Sequence, residues 1–550
     1  MLFLTCNWPP DVRIERVKAS YIMGIKGMQQ ESDSGNIEYK LKISPLDHDR
    51  FLELATQMLY RLNEGGGEAF YELGLSDDGQ PIGLPQAELE ESLANMRSLC
   101  DFIGADFRVV NSERGSKGDV LELHVTRKKK GEEPTSVNVA FLGNVDAGKS
   151  TLKGVLISNE LDNGNGKAME KVARYLHEIK SRRTSSVAVH ALGFDEQGRA
   201  VNETLPHYDE AEIFLKSRKM IFIIDLAGHE RYIKTTLAGI MGHSPDYAAI
   251  IVAANAGTVG TFKEHLGIAL ALNLPVFCVV TKIDLSPAEI TQRTLAEVER
   301  YLKLPGVSKI PFLVKTKGDV VIAAKNMPYA RVVPIFMVSN VDGRGIDLIK
   351  EFLELIPPRI KWVERDNYPF MAYIDEKFNV TGVGLVVSGL VEQGKVKSET
   401  LLEIGPFADG SFRKVRVKSI QTNRVFANEV CAGSDAAFAL TGVDYAEVRK
   451  GMILADPSLS PKASKGFIAR IRVLHHPTTI RVGYTPVVHI HTIRQAARIT
   501  KMSKEALRSG DVDQVEMIFT QRPEFVKIGD TFIFREGRAR GLGMVLSLIQ

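Results

Sequence analysis

Residues 141–156 read FLGNVDAGKSTLKGVL. The stretch fits G-x-x-x-x-G-K-[ST]; it ends an apolar run, VNVAFLG, and opens an apolar helix-like segment. That context is what a phosphate-binding loop requires. Gly143 and Gly148 let backbone N–H groups turn towards phosphates, and the helix N-terminus adds its dipole. The candidate phosphate set is Gly143, Asn144, Val145, Asp146, Ala147, Gly148, Lys149, Ser150 and Thr151. Lys149 is placed to reach the β/γ-phosphates and Ser150 to ligate Mg²⁺. The loop does not choose between ATP and GTP.

From 137 to about 356, apolar strands alternate with helical stretches. The strands are VNVAFLG, KMIFIIDLAG, YAAIIVAA, PVFCVVTKID and RVVPIFMVS. This pattern predicts a buried parallel sheet flanked by helices. The base is chosen by TKID, residues 281–284. Asp284 can accept two hydrogen bonds from guanine N1–H and the 2-amino group, whereas adenine would leave the carboxylate unpaired. Thr281 precedes it, and the stem of Lys282 can lie against the base. Ser339 and Asn340, in VSN, end the last strand, where a backbone N–H can meet guanine O6. Between loop and base motif lies DLAGHE, 225–230. Asp225 is expected to hold Mg²⁺ through water, the Gly228 amide to bond the γ-phosphate, and His229 to orient the attacking water as the catalytic residue.

The flanks differ in texture. Residues 1–35 read as a ragged, flexible N-terminus. Residues 36–130 read as a small α+β domain: NIEYKLKI as a strand with Ile37, Tyr39, Leu41 and Ile43 on one face, then helix, strand, helix and hairpin. TRKKKGEEPTS reads as an exposed linker to the α/β nucleotide domain, 136–358. After IPPRIKW the chain turns β-rich, and two antiparallel barrels fit residues 366–457 and 462–550. The fold class is thus multidomain, an α+β domain, an α/β P-loop domain and two β-barrels.

The composition agrees with a chain of several cores. It has 550 residues, 44% of them hydrophobic and 25% charged, with a net charge of +3. So mild a charge does not announce a nucleic-acid binder, though local basic surface is compatible with one. Four scattered cysteines form no CxxC pair and suit a reducing cytosol, so the expected location is the cytoplasm. MLFLTCNWPPD does not read as a signal peptide, and no apolar run reaches the length of a membrane span. LHHP (His475, His476) and HIH (His489, His491) suggest a metal at first sight. His489 and His491 read as sharing one strand face, but no third ligand has suitable spacing, so structural histidines are expected.

GNVDAGKS, DLAGHE and TKID with two following barrels resemble the translational GTPases of the elongation factor Tu and elongation factor 1-alpha group. LDNGNGKAMEK, SRRTSSV, KTTLAGIMGHSPDYAAIIVAANAG and KEHLGIALALNLPVFCVVTKIDL resemble one branch, the eukaryotic GTP-binding proteins 1 and 2. The resemblance implies a GTPase that binds GTP/GDP and Mg²⁺. It implies that Thr184 meets Mg²⁺ and the γ-phosphate, and that Val145 is the apolar gate beside His229. It also implies that the barrels grip aminoacyl-tRNA, with Gly382, Gly384, Arg535, Arg538 and Arg540 as candidate contacts, and that the ribosome activates hydrolysis. A tRNA-like protein adaptor, acting with rescue or mRNA-decay factors, is the alternative cargo, and control of a metabolic enzyme is a third reading. No membrane or DNA partner is expected. Two positions depart from the elongation factor Tu pattern: Asn144 replaces a histidine, and Thr281 replaces the asparagine of NKxD. A hydroxyl offers fewer hydrogen bonds than a carboxamide, so weaker nucleotide retention and exchange without an exchange factor are expected.

Overall fold

The computed structural model describes residues 35–44, 47–76, 78–128, 133–172, 188–229, 239–537 and 539–550. Thr184, Arg538 and Cys6 lie outside the described residues.

The first unit is built from β1 (Ile37–Lys40), α1 (His48–Glu64), β2 (Glu68–Leu73), α2 (Gln86–Ile103), β3 (Ala105–Arg114) and β4 (Asp119–Arg127). Its sheet runs β1-β2-β4-β3, with β1 parallel to β2 and the other pairs antiparallel. Asp47 caps α1 through the Arg50 N–H, and Gly104, in the left-handed region, ends α2. The two helices bury Leu54, Met58, Leu62, Met96 and Leu99 against one sheet face. The expected alternation through Ile43 is not observed. Pairing stops at Lys40, whose carbonyl and that of Leu41 accept the Gly74 N–H; beyond it Leu41 is 40% exposed and Ile43 instead packs among the helices.

The nucleotide domain holds a seven-stranded sheet. Its strands are β5 (Thr135–Gly143), β6 (Ala188–Phe194), β7 (Lys219–Asp225), β8 (Tyr247–Ala253), β9 (Val276–Thr281), β10 (Ile310–Leu313) and β11 (Val332–Met337), in the order β10-β11-β9-β8-β5-β7-β6. All neighbours are parallel except β6, which lies antiparallel at the edge. β8 and β9 are buried at every position, which explains their unbroken apolar sequence. The helices used below are α3 (Lys149–Ser158), α4 (Phe262–Ala271), α5 (Lys317–Asn326) and α6 (Ile346–Leu355).

The free face of the first sheet docks on this domain through buried charge. Lys219 Nζ donates to Glu68 Oε2 at 2.9 Å and to the Glu354 and Ile356 carbonyls at 2.6 Å. Arg218 bridges Glu68 and Glu354, Arg108 also pairs with Glu354, and Lys325 pairs with Glu72 and Glu122. Burial alone would raise the Glu68 carboxyl pKa, but Lys219, His124 and Arg218 hold it well below the usual carboxylate range. The contact lies at the start of β7. Asp225 is at the other end, about 20 Å along the strand. Among the described residues these charged contacts brace the start of β7, away from the strand end that carries the phosphate loop.

Two closed antiparallel barrels follow. The first joins Met371–Tyr373, Ile453–Ala455, Leu401–Gly405, Arg413–Thr422, Asp435–Thr441 and Gly384–Gln393, which pairs back to the start. The second joins Gly466–His475, Val512–Phe519, Ile493–Met502, Val487–Ile490, Thr531–Glu536 and Ala539–Ile549. Val387, Leu402, Val417 and Phe438 fill the first, and Phe467, Met517, Phe532 and Phe534 fill the second. The histidine reading needs one correction. The strand ends at Ile490, and His491 lies in the turn with φ 46°, so it does not share a strand face with His489. His491 instead stacks on Tyr373 at 4.2 Å and bonds Asp530 at 2.9 Å, which joins the two barrels. Among the described residues no three His, Cys, Asp or Glu side chains converge as a metal cluster, and no helix is long and apolar enough to cross a membrane.

Candidate nucleotide site

The loop 143–148 leaves the C-terminal end of β5, which is flanked by β7 and β8. Open α/β sheets place ligands at such strand ends, where connections diverge to both sides. Gly143 (φ 154°), Asp146 (φ 58°) and Gly148 (φ 85°) take positive φ, and the last opens α3. A side chain at Gly143 would meet the Ile251 carbonyl at 2.3 Å, so only glycine fits. Lys149 is buried, and its Nζ donates to the Gly143 and Asn144 carbonyls at 3.0 and 2.8 Å. Burial pushes its ammonium pKa down to about 8, against the charges of Asp225 and Asp146. An anion in the loop would replace those carbonyls as the partner of this amine.

The other candidates converge on the same corner. Ser150 and Thr151 occupy the first turn of α3, with Val145 and Asp146 at the loop rim. Asn144 packs its carboxamide against Gly260, where an added Cβ would lie 2.6 Å away. Asp225 ends β7 and is fully buried. Gly228 approaches the loop so closely that an added Cβ would lie 2.5 Å from Lys149 Nζ. Ala147 is buried within the loop, and His229, next to Gly228 in sequence, stands exposed. The structure brings Thr281, Lys282, Asp284, Ser339 and Asn340 to the ends of β9 and β11, next to Gly148. Asn340 is buried, yet its Oδ1 has no hydrogen-bond partner. Such an orphan at the base end suits a ligand that brings donors. A magnesium ion here would draw mainly on phosphate oxygens and water, with Ser150 and Asp225 as protein groups, which is this ion's habit.

Thr281 Oγ1 donates to the Ala147 carbonyl at 2.7 Å and is fully buried. Its single hydrogen is thereby committed to bracing the loop, and none is left for guanine N7, an acceptor. Thr281→Asn supplies a second donor. The variant is expected to release GDP a few-fold to about tenfold more slowly, the worth of one hydrogen bond. Stopped-flow release of a fluorescent GDP measures this; an unchanged rate contradicts it.

Sequence reasoning did not single out His265. It is buried on α4, and its Nδ1 accepts the Gly143 N–H at 3.1 Å. Burial, with the nearby Lys149 charge, pushes its pKa down to about 3, so the ring is a neutral acceptor. One turn earlier, Thr261 Oγ1 donates to the Gly228 carbonyl at 3.1 Å. Glu264 of the same helix pairs with Arg540, and Ile533 of the second barrel packs into the core beside Leu266 and Ile268. α4 therefore touches the phosphate loop, the Gly228 turn and the barrel at once. Arg540, expected on an RNA face, is instead used in this contact, and Arg535 lines it. Thr261 and His265 announce this role only in retrospect: TFKEH places them one turn apart.

The comparisons agree with this geometry. The family model for the elongation factor Tu GTP-binding domain matches residues 134–361, and that for elongation factor Tu domain 2 matches 384–455. GTP-binding protein 1 of Xenopus laevis is 46% identical over 505 residues, 91% of this chain and 77% of its own. GTP-binding protein 2 of Homo sapiens is 41% identical over 525 residues, 94% of this chain and 87% of its own. The chain belongs to the translational GTPase family, together with GTP-binding proteins 1 and 2. It is a GTP-binding protein and a GTP hydrolase. Among solved structures, bacterial selenocysteine-specific elongation factor EF-Sec superposes with a TM-score of 0.53 at 22% identity, covering 75% of this chain and 58% of that one. Elongation factor SelB of Methanococcus maripaludis, bound to a GTP analogue, gives 0.53 at 19%, covering 76% and 80%. These two likenesses concern the fold alone.

Proposed function

We propose that this GTPase works on the ribosome and delivers aminoacyl-tRNA or a tRNA-like cargo, using GTP with Mg²⁺ held at Ser150, Asp225 and Thr184. The observation that carries the reading is where the charge sits. Residues 462–550 hold fifteen Lys and Arg against seven Asp and Glu, a net +8, although the whole chain is only +3. Arg470, Arg494 and Arg498 are exposed on the outer face of this barrel. A phosphate backbone is the natural partner of such a surface. On the first barrel, Gly382 and Gly384 form an exposed hairpin tip beside Phe378 and Val383, which offers an apolar contact for a cargo end.

The coupling follows from the chain's own contacts. The Gly228 amide bonds the γ-phosphate while its carbonyl holds Thr261. Loss of that phosphate frees the turn, and α4 transmits the change through Glu264 to Arg540 and the barrel. Filter binding of aminoacyl-tRNA in GTP and in GDP tests the reading. Binding is expected only in GTP, and it should fall about 10²-fold between 50 and 200 mM salt if roughly four phosphates are neutralised. Equal binding in both nucleotides, or none, contradicts tRNA delivery; a GTP-dependent complex with a tRNA-mimicking protein in its place supports the rescue alternative.

A further inference from the structure

Lys153 lies one turn beyond Lys149, on the same face of α3. It is among the largest fully buried side chains of the protein, in a helix whose other inward residues are mostly apolar. Its Nζ lies 3.1 Å from Asp225 Oδ2, and both side chains are shut off from solvent. A buried amine requires such a partner, and so does a buried carboxylate. Asp225 is the carboxylate that the reading above places in the water shell of magnesium. Lys149 does not compete for it, because its own amine is taken up by the loop carbonyls. A magnesium ion arriving beside Asp225 therefore finds the negative charge already neutralised, and it meets a fixed positive charge within a few ångströms.

We propose that Lys153 is a resident cation that takes over the neutralisation of Asp225 from magnesium, so that retention of guanine nucleotide depends little on the metal. The inference rests on the guanine-nucleotide reading of the site. On this reading the pocket keeps its charge balance when the metal leaves, and exchange does not have to wait for metal loss.

The test is release of a fluorescent GDP from the full chain, in excess Mg²⁺ and after EDTA. In the unsubstituted protein the two rates are expected to agree within about threefold, less than a single charge-assisted contact would give. In Lys153→Met, chelation should speed release by about ten- to a hundredfold, because Asp225 then needs the metal. Lys153→Arg should remain insensitive. A second readout needs no nucleotide: Mg²⁺ should raise the melting temperature of Lys153→Met and leave that of the unsubstituted protein unchanged. Release from the unsubstituted protein that accelerates more than about threefold on chelation overturns the proposal. So does an equal response in Lys153→Met and the unsubstituted chain. Absence of GDP binding in every protein and condition overturns the nucleotide reading itself, and this proposal with it.

Discussion

Asp284→Asn is expected to weaken GTP binding by about 10²- to 10⁴-fold and to create binding of xanthosine triphosphate. The carboxylate stands at the end of β9 beside Lys282, which takes φ 59° in the turn that aims the motif. Two hydrogen bonds from guanine to an ionised acceptor are worth about 1.5–3 kcal/mol each. An amide in place of the carboxylate replaces one acceptor by a donor, which opposes the guanine 2-amino group and suits the xanthine 2-oxo group. Competition binding with the two triphosphates measures the exchange. Unchanged GTP affinity in the variant means that another group reads the base.

His229→Ala is expected to lower ribosome-stimulated GTP hydrolysis by about 10²- to 10⁴-fold, the usual contribution of a positioned acid–base or water-orienting group. GTP affinity should stay the same. His229 follows Gly228 at the loop rim and is exposed, so its removal costs the fold little. Gly228 is different: it packs against Lys149 and the Gly143 carbonyl, and a substitution there would disturb binding as well. Single-turnover hydrolysis with purified ribosomes separates the two effects. Equal stimulated rates in the variant and the parent remove His229 from the chemistry.

Sequence reasoning works where the physics is local. The phosphate loop declares itself because glycine spacing, a preceding apolar strand and a following helix fall within about twenty residues. The barrels are legible as classes of structure, since short alternating strands with glycine turns leave few other folds. Legibility fails where contacts are distant or where a period breaks. Glu68 and Lys219 meet across 151 residues, and nothing near either one marks it as half of a buried pair. β6, whose sequence is AVHALGF, carries a histidine and a glycine and pairs antiparallel at an edge, so it lacks the apolar signature of its neighbours. The strand at Ile37 and the one ending at Ile490 are both shorter than their sequences suggest, because alternation continues in the letters after the pairing has stopped. Lys153 did leave a signal. A lysine four residues after the loop lysine, on an otherwise apolar helix face, needs a buried partner, and the strand-end aspartate is the nearest candidate in the pattern.

The central claim is that the corner formed by the ends of β5, β7, β9 and β11 selects guanine nucleotides. Isothermal titration of the purified full chain with GTP, GDP and ATP tests it most directly. Saturable binding of both guanine nucleotides, with ATP weaker by at least about 10³-fold, is the predicted result. Preference for ATP, or heat with none of the three, would contradict it.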